Sequence, residues 1–237
     1  MTKLSVNINK IATIRNARGG TMPNVVQAAI NCQKFGAQGI TVHPRPDERH
    51  IRYQDVRDIR PIITSEFNIE GYPSQRFMDL VTEVRPHQAT LVPDSHDVIT
   101  SNQGWNIIKY EKFLADVVKE LQSNGIRTSL FIETDLEQIE RAAATGTNRI
   151  ELYTEPYASK YPLDPVKAIA PYIKAAKKAA ELGLELNAGH DLSLENLHYF
   201  HQHIPGLLEV SIGHALISEA LYYGLEKTIQ LYLEQLA

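Results

Sequence analysis

Eight short apolar runs, each followed by a longer stretch of helical spacing, constrain this chain more than any other feature. The runs fall at 4–9, 39–43, 67–70, 89–93, 128–133, 149–154, 184–187 and 208–213. Most are rich in Val, Ile and Leu, the composition expected of parallel strands covered on both faces. Between them, apolar residues recur at threes and fours over 25–35, 56–63, 77–84, 113–121, 136–144, 170–182, 194–203 and 215–236. Glycine closes several of these stretches, in KFG-AQGI, SNG-IRT, ATG-TNRI and ELG-LELN, where it relieves left-handed C-cap strain. Pro171 is read as a first-turn proline of a helix beginning near Ala170, and Gly224 as a break in the last helical stretch.

Eight strand–helix units in 237 residues match a single (β/α)8 TIM barrel domain spanning 1–237. The rival, a doubly wound open sheet, prefers a Gly-rich dinucleotide loop after an early strand, and N-I-N-K-I-A at 7–12 offers none. No repeat, low-complexity tract or Pro/Gly-rich linker marks a domain boundary. The formal charge of −4, with no basic stripe against it, argues against a nucleic-acid partner. One cysteine, Cys32, excludes an intramolecular disulfide and a Cys-based zinc cluster. Its setting, AAINCQKFG, suits a buried structural thiol on an amphipathic helix. The start, MTKLSVNIN, is too short and polar for a signal peptide, and no window approaches the roughly 20 apolar residues of a membrane span. A cytoplasmic protein is expected.

In such a barrel the chemistry belongs at the C-terminal strand ends and the loops after them. There the sequence sets Asn7 and Asn9 on strand one, His43, Arg45, Arg49 and His50 after strand two, and Glu70 on strand three. V-P-D-S-H-D-V-I-T follows strand four, and Glu133, Glu151, His190 and the Gly213–His214 pair end the remaining strands. Each has a plain structural reading. Arg45 and Arg49 can pair with Asp47 and Glu48, Glu151 can sit buried against a neighbouring arginine, and Glu133 can merely open the next helix, with Thr134 or Asp135 as N-cap. The convergence of so many polar strand ends on one mouth points to function instead.

These residue types suit phosphate binding with proton transfer. A glycine at the start of the last helix offers backbone N–H groups and the helix dipole to an anion. Arg45 can grip a second anion with its planar fork, assisted by His50. His43, Glu70 and His190 between two such sites are suitable acid–base groups. The usual central lysine of a Schiff-base aldolase is absent, since the nearest candidate, Lys10, lies three residues past Asn7. Glu70, Glu151 and His190 are acceptable ligands for a divalent ion, but the only H-x-H pair, His201 and His203, lies in a helical stretch. A metal-assisted phosphosugar isomerase or epimerase, and a non-catalytic phosphate-ligand binder, stand as alternatives.

Together, V-N-I at 6–8, I-A-T-I-R-N-A-R-G at 11–19, G-A-Q-G-I-T-V-H-P-R at 36–45 and N-I-E at 68–70 carry a resemblance. With them go L-V-P at 91–93, S-L-F-I at 129–132, N-A-G-H at 187–190 and I-G-H-A at 212–215. In this order and spacing the chain resembles the pyridoxine 5′-phosphate synthase family of vitamin B6 biosynthesis, nearly end to end. The resemblance implies a homo-octameric (β/α)8 barrel without an organic cofactor, and no metal site is expected. It would condense 1-deoxy-D-xylulose 5-phosphate with 3-amino-2-oxopropyl phosphate into pyridoxine 5′-phosphate, releasing phosphate and water.

By motif, the resemblance makes His43 and Glu70 proton acceptors, His190 the proton donor and Glu151 a transition-state carboxylate. Asn7 and Gly213–His214 would bind the amino-ketone phosphate, and Arg18, Arg45, His50 and Thr100 the deoxyxylulose phosphate. The 93–105 loop, with Thr100 and Gly104, is long enough to close over the site. Two departures stand out. Asn9–Lys10 replaces a family Asp-His pair, and Asp191 replaces a common glycine. Both positions are expected still to meet substrate, with the Asp191 carboxylate turned away or offset by Lys10.

Overall fold

The computed structural model describes residues 1–93 and 103–237. Eight parallel strands pair in chain order and close on themselves: β1 (Lys3–Asn7), β2 (Gly39–Val42), β3 (Glu66–Gly71), β4 (Gln88–Leu91), β5 (Arg127–Ile132), β6 (Arg149–Tyr153), β7 (Glu185–Gly189) and β8 (Leu207–Ile212). Helices α1 (Asn9–Asn16) and α2 (Val25–Lys34) join β1 to β2. Then come α3 (Tyr53–Ile59) with a 3-10 turn at Arg60–Ile62, α4 (Gln75–Val84), α5 (Ile107–Ser123) and α6 (Leu136–Ala144). After β6 lie α7 (Glu155–Lys160) and α8 (Pro165–Glu181), and α9 (Leu197–His203) follows β7. Helices α10 (His214–Tyr223) and α11 (Leu225–Gln235) close the chain. The expected (β/α)8 barrel is the observed fold.

The strands are covered on both faces, as expected, with β2, β4 and β6 buried at every position, but the apolar residues fall mainly on the outer one. Leu4, Val6, Ile40, Val42, Phe67, Ile69, Leu130, Ile150, Leu152, Val210 and Ile212 are buried in the main core beneath the helices. The residues between them face the barrel axis and are mostly polar, Phe131 of β5 being an apolar exception. Ser5 and Thr41 hydroxyls meet at 2.7 Å, and the Thr90 hydroxyl donates to Asn68 at 2.9 Å. Ser211 on β8 reaches Glu70 on β3, and Arg149 on β6 reaches Gln88 on β4, so these side chains cross the lumen between strands that are not neighbours. The motif K-L-S-V-N, G-I-T-V-H, E-F-N-I-E carries this as period-two alternation.

At the N-terminal end of the lumen the polar side chains are charged and paired. Arg127 bonds Glu66 and, at 3.0 Å, Gln88. Arg149 reaches Glu185 at 2.5 Å, Gln88 at 3.2 Å and Glu66 at 3.5 Å. Burial raises the pKa of Glu209 beside them, opposed by the charges of Arg149, Arg127 and Lys3.

Several local expectations hold. Asp135 caps α6 by accepting from the backbone of Glu137 and Gln138, and Gly36, Gly125, Gly146 and Gly183 all take positive φ after helices. Cys32 is fully buried, and burial pushes its thiol up to about 12. Others are corrected. Strand β1 stops at Asn7, and Asn9 opens α1. Helix α8 starts at Pro165, capped by Asp164, so Pro171 lies inside it rather than in its first turn. Pro171 is on the exposed side, where water can satisfy the carbonyl left without its helical donor. The short α7 was not foreseen.

Candidate active site

At the C-terminal rim the inward-facing positions deliver Asn7, Glu70, Phe131, Glu151 and Ser211 into one cavity of about 570 Å³. Around it stand Asn9, Lys10 and Thr13 of α1, and His43, Arg45, Arg49 and His50 between β2 and α3. Val92, His190, Asp191, Gly213 and His214 complete the lining. Of the residues expected from sequence, Arg18 is not brought in, because it lies exposed in the turn after α1. Thr100, with most of the 93–105 loop, lies outside the described residues.

Two asparagines set the central pair. Asn7 donates to Glu70 Oε2 at 3.4 Å, while its Oδ1 accepts from the backbone of Asn9 at 3.1 Å. Asn9 Oδ1 in turn accepts from the backbone of His43 at 2.9 Å. This chain places His43 Nδ1 3.8 Å from Glu70 Oε2, and Ser211 donates to the other Glu70 oxygen at 3.5 Å. Burial, then the charges of Arg45, His50, His190 and Arg49, lowers the His43 pKa well below the ordinary imidazole value. At neutral pH the ring is therefore uncharged and able to accept a proton.

Glu151 is displaced the other way. Burial, then the negative charges of Glu70 and Glu209, raises its pKa well above the usual carboxyl value. Its Oε2 has no hydrogen-bond partner among the described residues, so the neighbouring arginine expected for it is not there. Arg149, two residues earlier on the same face, is committed to the opposite end of the lumen. An imidazole of lowered proton affinity and a carboxyl of raised proton affinity thus line one cavity, the kind of separation that acid–base catalysis uses.

The β2–α3 segment is held from behind. Arg15 forks onto Asp55 at 2.6 and 2.9 Å and donates to the His50 carbonyl at 3.1 Å. Asn16 donates to the carbonyls of His50 and Arg49 at 2.8 and 3.1 Å. Arg49 pairs with Asp47 at 2.7 Å, as its plain reading supposed, but Glu48 pairs with Arg76 and Arg45 is buried. His50 is pushed down to about 4, first by burial and then by Arg45 and Lys10. Its Nδ1 accepts from the Ile51 backbone at 2.9 Å, so the neutral ring carries its hydrogen on Nε2 and can donate to an anion.

At the end of β7 the chain turns sharply. A Cβ on Gly189 would lie 2.6 Å from the Ser211 carbonyl oxygen and 2.7 Å from Glu151 Oε1, so only glycine fits. His190 then takes φ 89°, a conformation costing a non-glycine residue about 1–3 kcal/mol. Its Nδ1 lies 2.5 Å from Asp191 Oδ2. The Asp191 carboxylate is therefore paired with His190 rather than with Lys10.

On the neighbouring strand, Gly213 at the end of β8 precedes α10 without a side-chain cap, and a Cβ there would crowd Asn7 at 3.1 Å. The first-turn N–H groups of α10 can then receive an anion. Val92, Phe131 and Tyr153 form a small apolar cluster of their own, with Tyr153 edge-on to His190 at 5.6 Å. Sequence reading missed Thr13, Val92 and Phe131 as lining residues. The alternation along β5 and β8 marks Phe131 and Ser211 as inward-facing.

The fold is a (β/α)8 barrel whose mouth gathers titratable and cationic side chains in one cavity. Comparison with known proteins narrows this further. Over residues 4–237 the sequence matches the family described as pyridoxal phosphate biosynthesis protein PdxJ, and the chain belongs to that family. It is 64% identical over 232 residues to pyridoxine 5′-phosphate synthase of Bacteroides fragilis, and 65% identical to that of Parabacteroides distasonis, covering 98% of each chain. The Porphyromonas gingivalis enzyme of the same name is 60% identical over the full length of both. Among solved structures, 3-keto-L-gulonate-6-phosphate decarboxylase from Vibrio cholerae shares the fold at a TM-score of 0.68 and 11% identity, over 99% of this chain and 97% of that one.

Proposed function

We propose that this chain condenses 1-deoxy-D-xylulose 5-phosphate with 3-amino-2-oxopropyl phosphate to form pyridoxine 5′-phosphate, releasing phosphate and water. Its family and its full-length relatives named pyridoxine 5′-phosphate synthase support the activity. The observation that carries the mechanism is the opposite displacement of His43 and Glu151 in one cavity. Joining an amine to a ketone, losing water and closing a ring demand repeated proton transfers around fixed phosphates. His43 and Glu70 accept protons, His190 donates, and Glu151 steadies charge in the transition state. Asn7 and the α10 N-terminus hold the amino-ketone phosphate. Arg45 and neutral His50 hold the deoxyxylulose phosphate, and the Phe131–Tyr153 wall receives the flat ring.

The test is turnover by purified, chelator-treated protein given both substrates. Pyridoxine 5′-phosphate and inorganic phosphate should appear together. Protein that is stabilised by substrate and yields no product would leave only a binder, and loss of activity on chelation would favour a metal-assisted reaction. Homo-octameric assembly, implied by the family, belongs to the same proposal. The exposed Leu221, Tyr222 and Tyr223 on α10 supply an apolar surface for it, and the mass in solution decides it.

A further inference from the structure

Neighbouring side chains on an extended chain point to opposite faces, so a carboxylate directly after a histidine does not ordinarily meet its ring. Here it does, through an unusual piece of backbone. Gly189, required by its close approach to Ser211 and Glu151, is followed by His190 at positive φ, and the turn brings Asp191 Oδ2 to 2.5 Å from His190 Nδ1. A fully buried hydroxyl secures the turn from the next strand. Thr154 Oγ1 donates to the Gly189 carbonyl at 2.6 Å and accepts from the Asp191 backbone N–H at 3.2 Å, spanning His190 on both sides. The register Tyr153↔Gly189 sets Thr154 level with His190. Asn196 adds a 3.4 Å bond to the Asp191 carbonyl.

We propose that Asp191 is a positioning residue for His190: it holds Nδ1, fixes the tautomer and ring orientation, and assigns Nε2 to proton exchange with substrate, while Thr154 clasps the turn that brings the two together. A carboxylate on one ring nitrogen sets which proton the other presents, and favours the charged, donating form. That is the form a proton donor needs before it acts, so the inference rests on the acid–base reading of the site. Where a glycine at this position leaves the histidine to other partners, this chain supplies its own. The charged and titratable groups that share the cavity with the pair are Lys10 of α1, His43, Arg45, Arg49 and His50 beyond β2, Glu70 of β3, Glu151 of β6 and His214 of α10, and Tyr153 of β6 meets the His190 ring edge-on.

The titration of each histidine can be followed in the full-length, unliganded enzyme by hydrogen–deuterium exchange at the imidazole C2 position, resolved by peptide mass. In Asp191→Asn the His190 midpoint should fall by about one pH unit, with the distant His198 and His203 unmoved, and Asp191→Glu should restore part of the shift. An unmoved His190 midpoint in a folded Asp191→Asn protein overturns the pairing, whatever the activity does. In turnover, the alkaline limb of kcat/KM should move down with the midpoint, and a limb that stays put overturns the catalytic role. Thr154→Val should lower kcat about ten-fold with KM little changed, and Thr154→Ser should recover it. Loss of activity in Thr154→Ser equal to that in Thr154→Val removes the clasp. Because the exchange experiment needs no substrate, a wild-type protein that shows the pairing but makes no pyridoxine 5′-phosphate would refute the proposed function and leave the pairing intact.

Discussion

At the N-terminal end of the lumen, Arg127 and Arg149 reach Glu66, Glu185 and Gln88, and the side chains answer one another in sign. At the C-terminal end, burial and the nearby charge of Glu70 raise the proton affinity of Glu151, and burial and the charge of Arg45 lower that of His43. Both ends descend from the same alternating strands, only two to four residues apart. The difference lies in company. Where a buried charge meets its opposite, the result is rigidity. Where like meets like around an open cavity, the result is a displaced pKa and a group ready to exchange protons.

The sharpest way to break this comparison is Glu70→Gln, which keeps the shape and removes the base. Turnover should fall at least about 100-fold while the melting temperature changes little. A large loss of stability would make the mouth as structural as the base. Next comes Arg149→Met, which leaves Glu66 without one of its cations at the closed end. Unfolding in urea should show about 3–5 kcal/mol lost, with kcat per folded molecule preserved, and a kcat that falls as steeply as at Glu70 would erase the distinction.

A pH experiment sharpens it further. His50 is displaced from 6.5 to about 4, so it contributes stability that is present above pH 6.5 and lost as pH falls towards 4. Glu151 and Glu209, raised in the folded state, act with opposite sign. The informative quantity is therefore the difference between the wild type and His50→Asn, which should shrink as pH drops through that window. A constant difference would refute the buried neutral histidine. The smallest effect is expected at Arg76→Ala, which removes the exposed Arg76–Glu48 pair and the cation over Tyr53. Stability should change by less than about 1 kcal/mol and kcat/KM by less than two-fold. A larger change would show that surface charge, too, belongs to the mouth.

The barrel was legible because its strands are short and flanked by glycine-closed helices, so that every strand was found within a few residues of its observed bounds. Helix α7 was not, since EPYASK is under two turns and too short to show a period. Pro171 misled because an exposed helix interior tolerates what a buried one would not. The residues lining the cavity were legible as polar strand ends, and the family motifs sorted them. What stayed hidden depended on neighbours in space. Thr154 reads as an ordinary end-of-strand threonine until the β6–β7 register places it against Gly189. Asp191 meets His190 only because of a backbone angle that no composition reveals.

The strict alternation of the strands has a consequence for how such a gene can vary. Inserting or deleting one residue inside a strand would turn its polar set towards the helices and its apolar set into the lumen, inverting both at once. Heritable changes of length are therefore admissible only in the connections between strands and helices, several of which rim the cavity. The scaffold's intolerance of length change is what leaves its recognition loops free to diversify.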